Sequence, residues 1–145
     1  MEQMYTVTIE PALHLLRIRV AGFWSAAVMK AYVAELVRQA EALGRTGGCR
    51  RILVNMSDYP IQAQAIADGH ARIIAHGKTV MKAHTAVVMK SALSRLQAMR
   101  VADLAGHELF DDEVSARRWL MSMPAGAAAG NDMNAALPKR EAAVR

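Results

Sequence analysis

Two short polar segments of this 145-residue chain carry side chains suited to binding a ligand. Each follows an apolar run that is typical of a buried strand, RILVNM in the first case and AVVM in the second. The candidate ligand-binding residues are Ser57, Asp58, Tyr59, Ser91, Ser94 and Arg95. In open α/β sheets, ligands bind beyond the carboxyl ends of the strands, where helix N-termini attract anions. If the two strands are parallel, both segments lie at the same end of the sheet.

Each segment also has an ordinary structural interpretation. Ser57 and Asp58 are residue types that close a turn by bonding to nearby backbone N–H groups, and Pro60 starts the next segment. Ser91 or Ser94 would cap the following helix. These residues therefore have two alternative interpretations, a structural one as a turn or helix cap and a functional one as a ligand site.

No catalytic or metal-binding constellation is recognisable in the sequence. Ser57 lacks the Gly-x-Ser-x-Gly context of a nucleophile, and no histidine can be assigned to it as a base. The histidines contain neither His-x-His nor His-Glu-x-x-His, so we expect no metal and no cofactor. His70 lies on the apolar face of a predicted helix and is expected to be buried with its hydrogen bonds satisfied. Cys49 stands beside Arg50 and Arg51, which would lower the pKa of its thiol, although a lone loop cysteine is usually incidental.

The periodicity of apolar residues predicts alternating strands and helices after an opening hairpin. The predicted strands lie at residues 5–10, 16–20, 52–56, 85–89 and 107–110. The predicted helices run from 26 to 43 after a Ser25 cap, from beyond Pro60 to about Gly77, from Ser91 or Ser94 to Gly106, and from an Asp111 or Asp112 cap through Met123. In the first helix, the expected core stripe is Met29, Val33, Leu36, Ala40 and Leu43.

This order, ββαβαβαβα, predicts an α/β fold with a single mixed sheet of four to five strands and about four helices packed against it. One domain is expected over residues 1–123. Residues 124–145, PAGAAAGNDMNAALPKREAAVR, show no sustained periodicity, which indicates a flexible C-terminal tail. The many methionines, among them Met29, Met56, Met81, Met89, Met99 and Met121, are expected to fill the core or to line a pliable apolar surface.

Composition argues against two classes of partner. The net charge of +5 comes from scattered basic residues, and the aromatic residues, 5% of the chain, are not interleaved with them. A nucleic-acid-binding surface needs a dense basic stripe with stacking platforms, so we expect no nucleic-acid partner. No apolar run approaches the roughly 20 residues that span a bilayer, and the N-terminus MEQMYTVTIE does not resemble a signal peptide. We therefore expect no membrane span and a cytoplasmic location.

Four segments carry a resemblance to a known family. They are GFWS, LVNMSD, AVVMKSALSRLQAMR and LFDDEVSARRWL. Together with the order of elements, they make residues 5–122 similar to the SpoIIAA-like branch of the STAS-like proteins. The resemblance implies a small non-enzymatic domain, used as an anti-sigma-factor antagonist or as a sensory and regulatory module.

Relatives in that family carry a phosphorylatable serine in an Asp-Ser-Ser-Gly-type motif at the start of the helix after the central strand. The corresponding segment here reads SDYPIQAQAIADG, with Gln62 and Gln64 in the region of the switch serine. We therefore expect a STAS-like module without the usual phosphoserine switch.

Three functions remain as hypotheses. The first is a non-catalytic cytoplasmic regulatory module that binds a protein partner or a small ligand and that could form a homodimer. The second is a small-molecule or lipid-binding module with a pocket at the sheet end, built from the candidate residues above. The third is a small enzyme of unknown reaction, for which the sequence offers no assembled catalytic group.

Overall fold

The computed structural model describes residues 4–91, 95–96 and 108–124. Its strands are β1 (Tyr5–Glu10), β2 (Leu15–Ala21), β3 (Arg51–Asp58), β4 (His84–Val88) and β5 (Leu109–Phe110). Its helices are α1 (Ala26–Gly44), α2 (Gln64–Thr79) and α3 (Glu113–Ser122), with a short 3₁₀ helix at Pro11–Leu13. The predicted α/β class with one mixed sheet is confirmed. Most of the helix predicted over residues 91–106, and all of the tail beyond Pro124, lie outside the described residues.

The five strands form one sheet in the order β1-β2-β3-β4-β5. β1 and β2 are antiparallel, which confirms the predicted hairpin, and the later neighbours are all parallel. The carboxyl ends of β3 and β4 therefore lie at the same edge, as the hypothesis of a ligand site at the sheet end requires.

Helices cover both faces of the sheet. Ile52, Val54 and Met56 of β3 join the core cluster beneath α1 and α2, on what we call the α1–α2 face. Leu53 points the other way and packs with Leu120 of α3, on the α3 face. The prediction that the central strand is buried on both sides is confirmed, because successive side chains alternate across a strand.

Two helix caps predicted from sequence are present. The Ser25 hydroxyl accepts a hydrogen bond from the Val28 N–H at 3.2 Å, and the Asp112 carboxylate accepts one from the Ser115 N–H at 2.7 Å. Both bonds satisfy donors that a helix leaves unpaired in its first turn.

The buried stripe of α1 is displaced from the predicted one. Tyr32, Leu36 and Leu43 are the buried residues of this helix. Val33, which was expected in the core, is 39% exposed, and Met29 is only partly buried. The predicted stripe was wide enough to include one flank of the helix, and that flank faces α2 and lines the cavity described below.

The α3 face is anchored by a buried arginine. Arg51 is 7% exposed, and its guanidinium donates to the carbonyls of Leu120 at 3.1 Å, Met123 at 3.1 Å and Leu13 at 2.8 Å. Two of these carbonyls lie at the end of α3, where the helix dipole favours a positive charge. Arg51 therefore fixes the last turn of α3 against the sheet.

The environment of Cys49 is the reverse of the one expected from its basic neighbours. The side chain is fully buried, and this burial raises the pKa of the thiol to about 12. Arg51 is engaged with backbone carbonyls on the α3 face. Cys49 is thus a buried apolar residue without thiolate character at neutral pH.

Candidate functional site

In the first predicted segment, Ser57 and Asp58 are the last two residues of β3 and not a turn after it, and Asp58 pairs with Ala21 of β2. The Ser57 N–H donates to the Asn55 side-chain oxygen at 2.9 Å. The Asp58 carboxylate pairs with Arg19, and its carbonyl accepts from the Gly22 N–H at 3.1 Å. The bond of Ser57 is local, whereas the two contacts of Asp58 tie the end of β3 to the end of β2.

The second segment is described only in part. Ser91 is exposed, and Arg95 forms an ion pair with Asp111. Ser94 lies outside the described residues. The assignment of Ser57, Asp58, Tyr59, Ser91, Ser94 and Arg95 as ligand-binding residues stays a prediction.

The two glutamines at the expected switch position have structural contacts. Gln62 is buried; its Oε1 accepts from the Trp24 N–H at 2.8 Å, and its Nε2 donates to the carbonyls of Gly22 at 2.9 Å and Pro60 at 3.0 Å. Gln64 is the first residue of α2 and donates to Asp68 at 2.8 Å. Gln62 therefore cross-links the loops that precede α1 and α2.

Next to Gln62 lies an aromatic cluster, formed by the buried Trp24, Tyr32 and His70 and the partly buried Tyr5 and Tyr59. The His70 ring centroid is 4.7 Å from that of Trp24, 4.8 Å from that of Tyr59 and 5.3 Å from that of Tyr32. Burial raises the pKa of both Tyr32 and Tyr59, so their hydroxyls stay protonated.

Two members of this cluster, Tyr59 at its hydroxyl and His70 at Nε2, have a buried polar atom without a hydrogen-bond partner among the described residues. His70 is the more deeply buried of the two. It is 4% exposed, as the apolar pattern of α2 predicted, but its Nε2 has no hydrogen-bond partner among the described residues. The expectation that its hydrogen bonds are satisfied was wrong at this atom. Burial lowers the pKa of His70 to about 4, so the imidazole is neutral at physiological pH.

A cavity of about 460 Å³ extends from His70 between α1, α2 and the sheet. Its floor consists of Leu16, Ile18, Ile52 and Val54, with Thr85 beside them. All of these except Thr85 are aliphatic, so the floor is an apolar surface.

The walls of the cavity come from the two helices. From α1 they include Met29, Val33, Leu36, Val37 and Ala40. From α2 they include Gly69, His70, Arg72, Ile73, Ile74, His76 and Gly77, and Met81 follows that helix. Val33 and Val37 are 39% and 51% exposed, so the mouth opens to solvent between the helices.

Two glycines of α2 lie close to side chains of the neighbouring elements. A Cβ atom at Gly69 would lie 2.9 Å from the Met29 methyl carbon, and one at Gly77 would lie 2.8 Å from the Ile52 Cδ1. Both contacts are closer than ordinary van der Waals packing allows, so a side chain at either position would require the end of the Met29 or Ile52 side chain to move. Ile73, midway between them, lines the cavity.

Residues 4–91, 95–96 and 108–124 contain neither a metal-binding group nor a membrane-spanning helix. No group of three or more histidine, cysteine, aspartate or glutamate residues there is placed to hold a metal ion. None of the described helices is long and apolar enough to cross a membrane.

No model of a known family, no curated protein and no solved structure matches this chain. The resemblance to SpoIIAA-like proteins therefore stays a prediction.

The cavity was not predicted from the sequence, although two features of the sequence are related to it. The apolar stripe of α1 is wider than a buried face requires, and Gly77 shares a face of α2 with His70. Neither observation gives the separation of the two helices, on which an open space between them depends.

Proposed function

We propose that this protein is a cytoplasmic, non-catalytic module that binds an apolar small molecule in the cavity of the α1–α2 face. The observation that carries the proposal is the cavity itself. Its volume of about 460 Å³ falls within the range of small-molecule sites, and its lining is mostly aliphatic with a few polar groups, as in such sites.

His70 supplies a polar contact inside this apolar site. A buried polar atom without a partner costs roughly 1–3 kcal/mol, so such atoms are rare unless something else pairs with them. The neutral imidazole has one donor and one acceptor nitrogen. A hydroxyl or carbonyl of a ligand would give Nε2 the partner that the protein does not provide.

The contacts at the sheet end support the helix-flanked cavity over a pocket built from Ser57 and Asp58. Asp58 is paired with Arg19, and Arg95 with Asp111, so these charged groups already have partners. Likewise, the three hydrogen bonds of Gln62 support a module without the phosphoserine switch. The resemblance adds the proposal that occupancy of the cavity is passed to a protein partner, as in a sensory domain.

The test is the binding of N-phenyl-1-naphthylamine, a neutral apolar dye that fluoresces on entering a dry site. Val33→Trp places a large side chain at the cavity mouth. Ala34→Trp is the matched control, because Ala34 is exposed on the same turn of α1 and does not line the cavity. We expect saturable binding of one dye molecule per chain to the wild type and to Ala34→Trp. We expect binding at least about tenfold weaker, or about 1.4 kcal/mol, in Val33→Trp.

Equal binding to both variants, or no saturable binding to the wild type, would overturn the proposal. The non-catalytic part has its own test, which is a screen with broad esterase and phosphatase substrates. Turnover that is lost in Ser57→Ala or Asp58→Asn would contradict it.

A further inference from the structure

Among the residues that line the cavity, Arg72 is the one that carries a formal charge. Arg72 and His76 of α2 are exposed and line the cavity, and the lining contains no aspartate or glutamate. Asp68, one turn before Arg72, accepts a hydrogen bond from Gln64 and is not a lining residue. The mouth therefore has a positive charge that no lining carboxylate offsets.

Arg72 also differs from half of the ten arginines among the described residues. Five of these form ion pairs, namely Arg17, Arg19, Arg38, Arg95 and Arg117. Arg72 forms none of the ion pairs found in the described part of the chain. Its guanidinium has five donors and is available to an anion from outside the protein.

Helical spacing separates this charge from the cavity floor. Residues three or four positions apart share a side of a helix, so Gly69, Arg72, Ile73 and His76 form the side of α2 that faces α1 and the mouth. His70, Ile74 and Gly77 form the side that is buried on the sheet. The apolar floor and the neutral His70 would disfavour a buried ionic group, because an unpaired charge in an apolar environment is costly.

We propose that the ligand is a single-chain aliphatic carboxylate, with its chain on the apolar floor and its carboxylate at Arg72. This inference rests on the proposed function, since it assigns a ligand class to the same cavity. The cavity is near the small end of the usual range of ligand sites, which suits one chain. The guanidinium forms paired, charge-assisted hydrogen bonds with carboxylates, and His76 adds a second polar group at the mouth.

Competition against bound N-phenyl-1-naphthylamine tests this assignment. The competitors are decanoate, 1-decanol and decyltrimethylammonium, which share a chain and differ in the charge of the head group, all kept below micellar concentrations. We expect decanoate to bind about tenfold more tightly than 1-decanol. Decyltrimethylammonium should be the weakest of the three.

Arg72→Gln should remove the advantage of decanoate and leave the affinity for 1-decanol unchanged. Arg118→Gln is the control; it removes the same charge from an exposed position on α3, on the other face of the sheet. Thermal unfolding of both variants checks that they are folded. Arg118→Gln should keep the preference for decanoate.

The possible failures are distinguishable. If 1-decanol and decanoate compete equally well, or if Arg118→Gln acts like Arg72→Gln, the carboxylate assignment is overturned while the apolar site stands. If the dye does not bind saturably to the wild type, the proposed function itself fails.

Discussion

One buried polar side chain distinguishes the two faces of the sheet. On the α3 face, Arg51 donates to three backbone carbonyls, and Asn55 donates to Glu113 at 2.9 Å. On the α1–α2 face, His70 is just as deeply buried, yet its Nε2 has no partner among the described residues. Polar groups that hold a fold together are paired within it, whereas an unpaired one beside a cavity indicates a contact made by something else.

Packing shows the same difference. On the α3 face, Ala86 and Ala116 are completely buried, and these small residues let α3 lie close to β4. On the other face, Val33 and Val37 of α1 remain exposed at the edge of a cavity. We infer that the α3 face is structural and that the α1–α2 face holds the binding site.

The largest effect should come from removing the anchor of the α3 face. Arg51→Met deprives three carbonyls of their donor, and we expect the free energy of unfolding to fall by about 4 kcal/mol. Arg51→Lys should lower the free energy of unfolding by nearly as much, because a single ammonium group cannot reproduce the planar arrangement of donors in the guanidinium. Urea unfolding measures both, with the exposed Arg118→Met as the control. A loss below about 1 kcal/mol in Arg51→Met would contradict an anchoring role.

The second prediction concerns pH and the other face. Because the pKa of His70 falls from 6.5 to about 4 on folding, the unfolded chain binds more protons than the native one between these values. Stability should therefore be complete above pH 6.5 and fall by roughly 3 kcal/mol as the pH drops to 4.

The variant His70→Phe isolates this effect, because phenylalanine keeps an aromatic ring in the cluster and does not titrate. The stability of this variant should no longer fall in the pH interval that lies above the range in which carboxylates titrate. His76→Gln, which removes an exposed histidine of the same helix, should retain it. The measurement is urea unfolding from pH 7 to 4.5, and parallel curves for the wild type and His70→Phe would count against a buried neutral His70.

The third prediction tests whether the hydrogen bonds of Gln62 stabilise the α1–α2 face. Gln62→Ala removes three hydrogen bonds, two of which join the loops before α1 and α2, and should lower the free energy of unfolding by about 2 kcal/mol. Gln62→Glu should also destabilise, because a carboxylate keeps the Trp24 N–H bond and loses both donors. Gln64→Ala, at an exposed position, is the control and should change thermal stability little. Equal melting temperatures for Gln62→Ala and Gln64→Ala would refute the bracing role.

The smallest stability effect should be at the cavity mouth. Val33→Trp changes an exposed residue, so we expect the free energy of unfolding to shift by less than about 0.5 kcal/mol. Differential scanning calorimetry of Val33→Trp and of the control Ala34→Trp measures this shift in stability. A large destabilisation by Val33→Trp alone would show that Val33 supports the core instead of bordering a site.

Much of the fold could be predicted because it follows from local patterns. The alternation in β2, the short and mostly apolar run of β3 and the caps at Ser25 and Asp112 are each visible within a few residues, and each was confirmed. The burial of His70 also followed from the period of α2.

The site could not be predicted in the same way, because it depends on distances between elements. In the sequence, Arg51 is one of two adjacent arginines. Its three carbonyl partners are known only once the position of α3 against the sheet is known. The cavity depends on how closely α2 approaches its neighbours at Gly69 and Gly77. No periodicity encodes that separation.

One measurement compares the two faces directly. Methionine methyl groups report on both, since Met29 and Met81 line the cavity while Met121 packs on the α3 face. With ¹³C-methyl-labelled methionine assigned by Met→Leu variants, decanoate is titrated into the protein and methyl spectra are recorded. We predict saturable shifts of the Met29 and Met81 resonances and an unchanged Met121 resonance. Shifts of Met121 as large as those of Met29 and Met81, or no shift of Met29 and Met81, would contradict a binding site on the α1–α2 face.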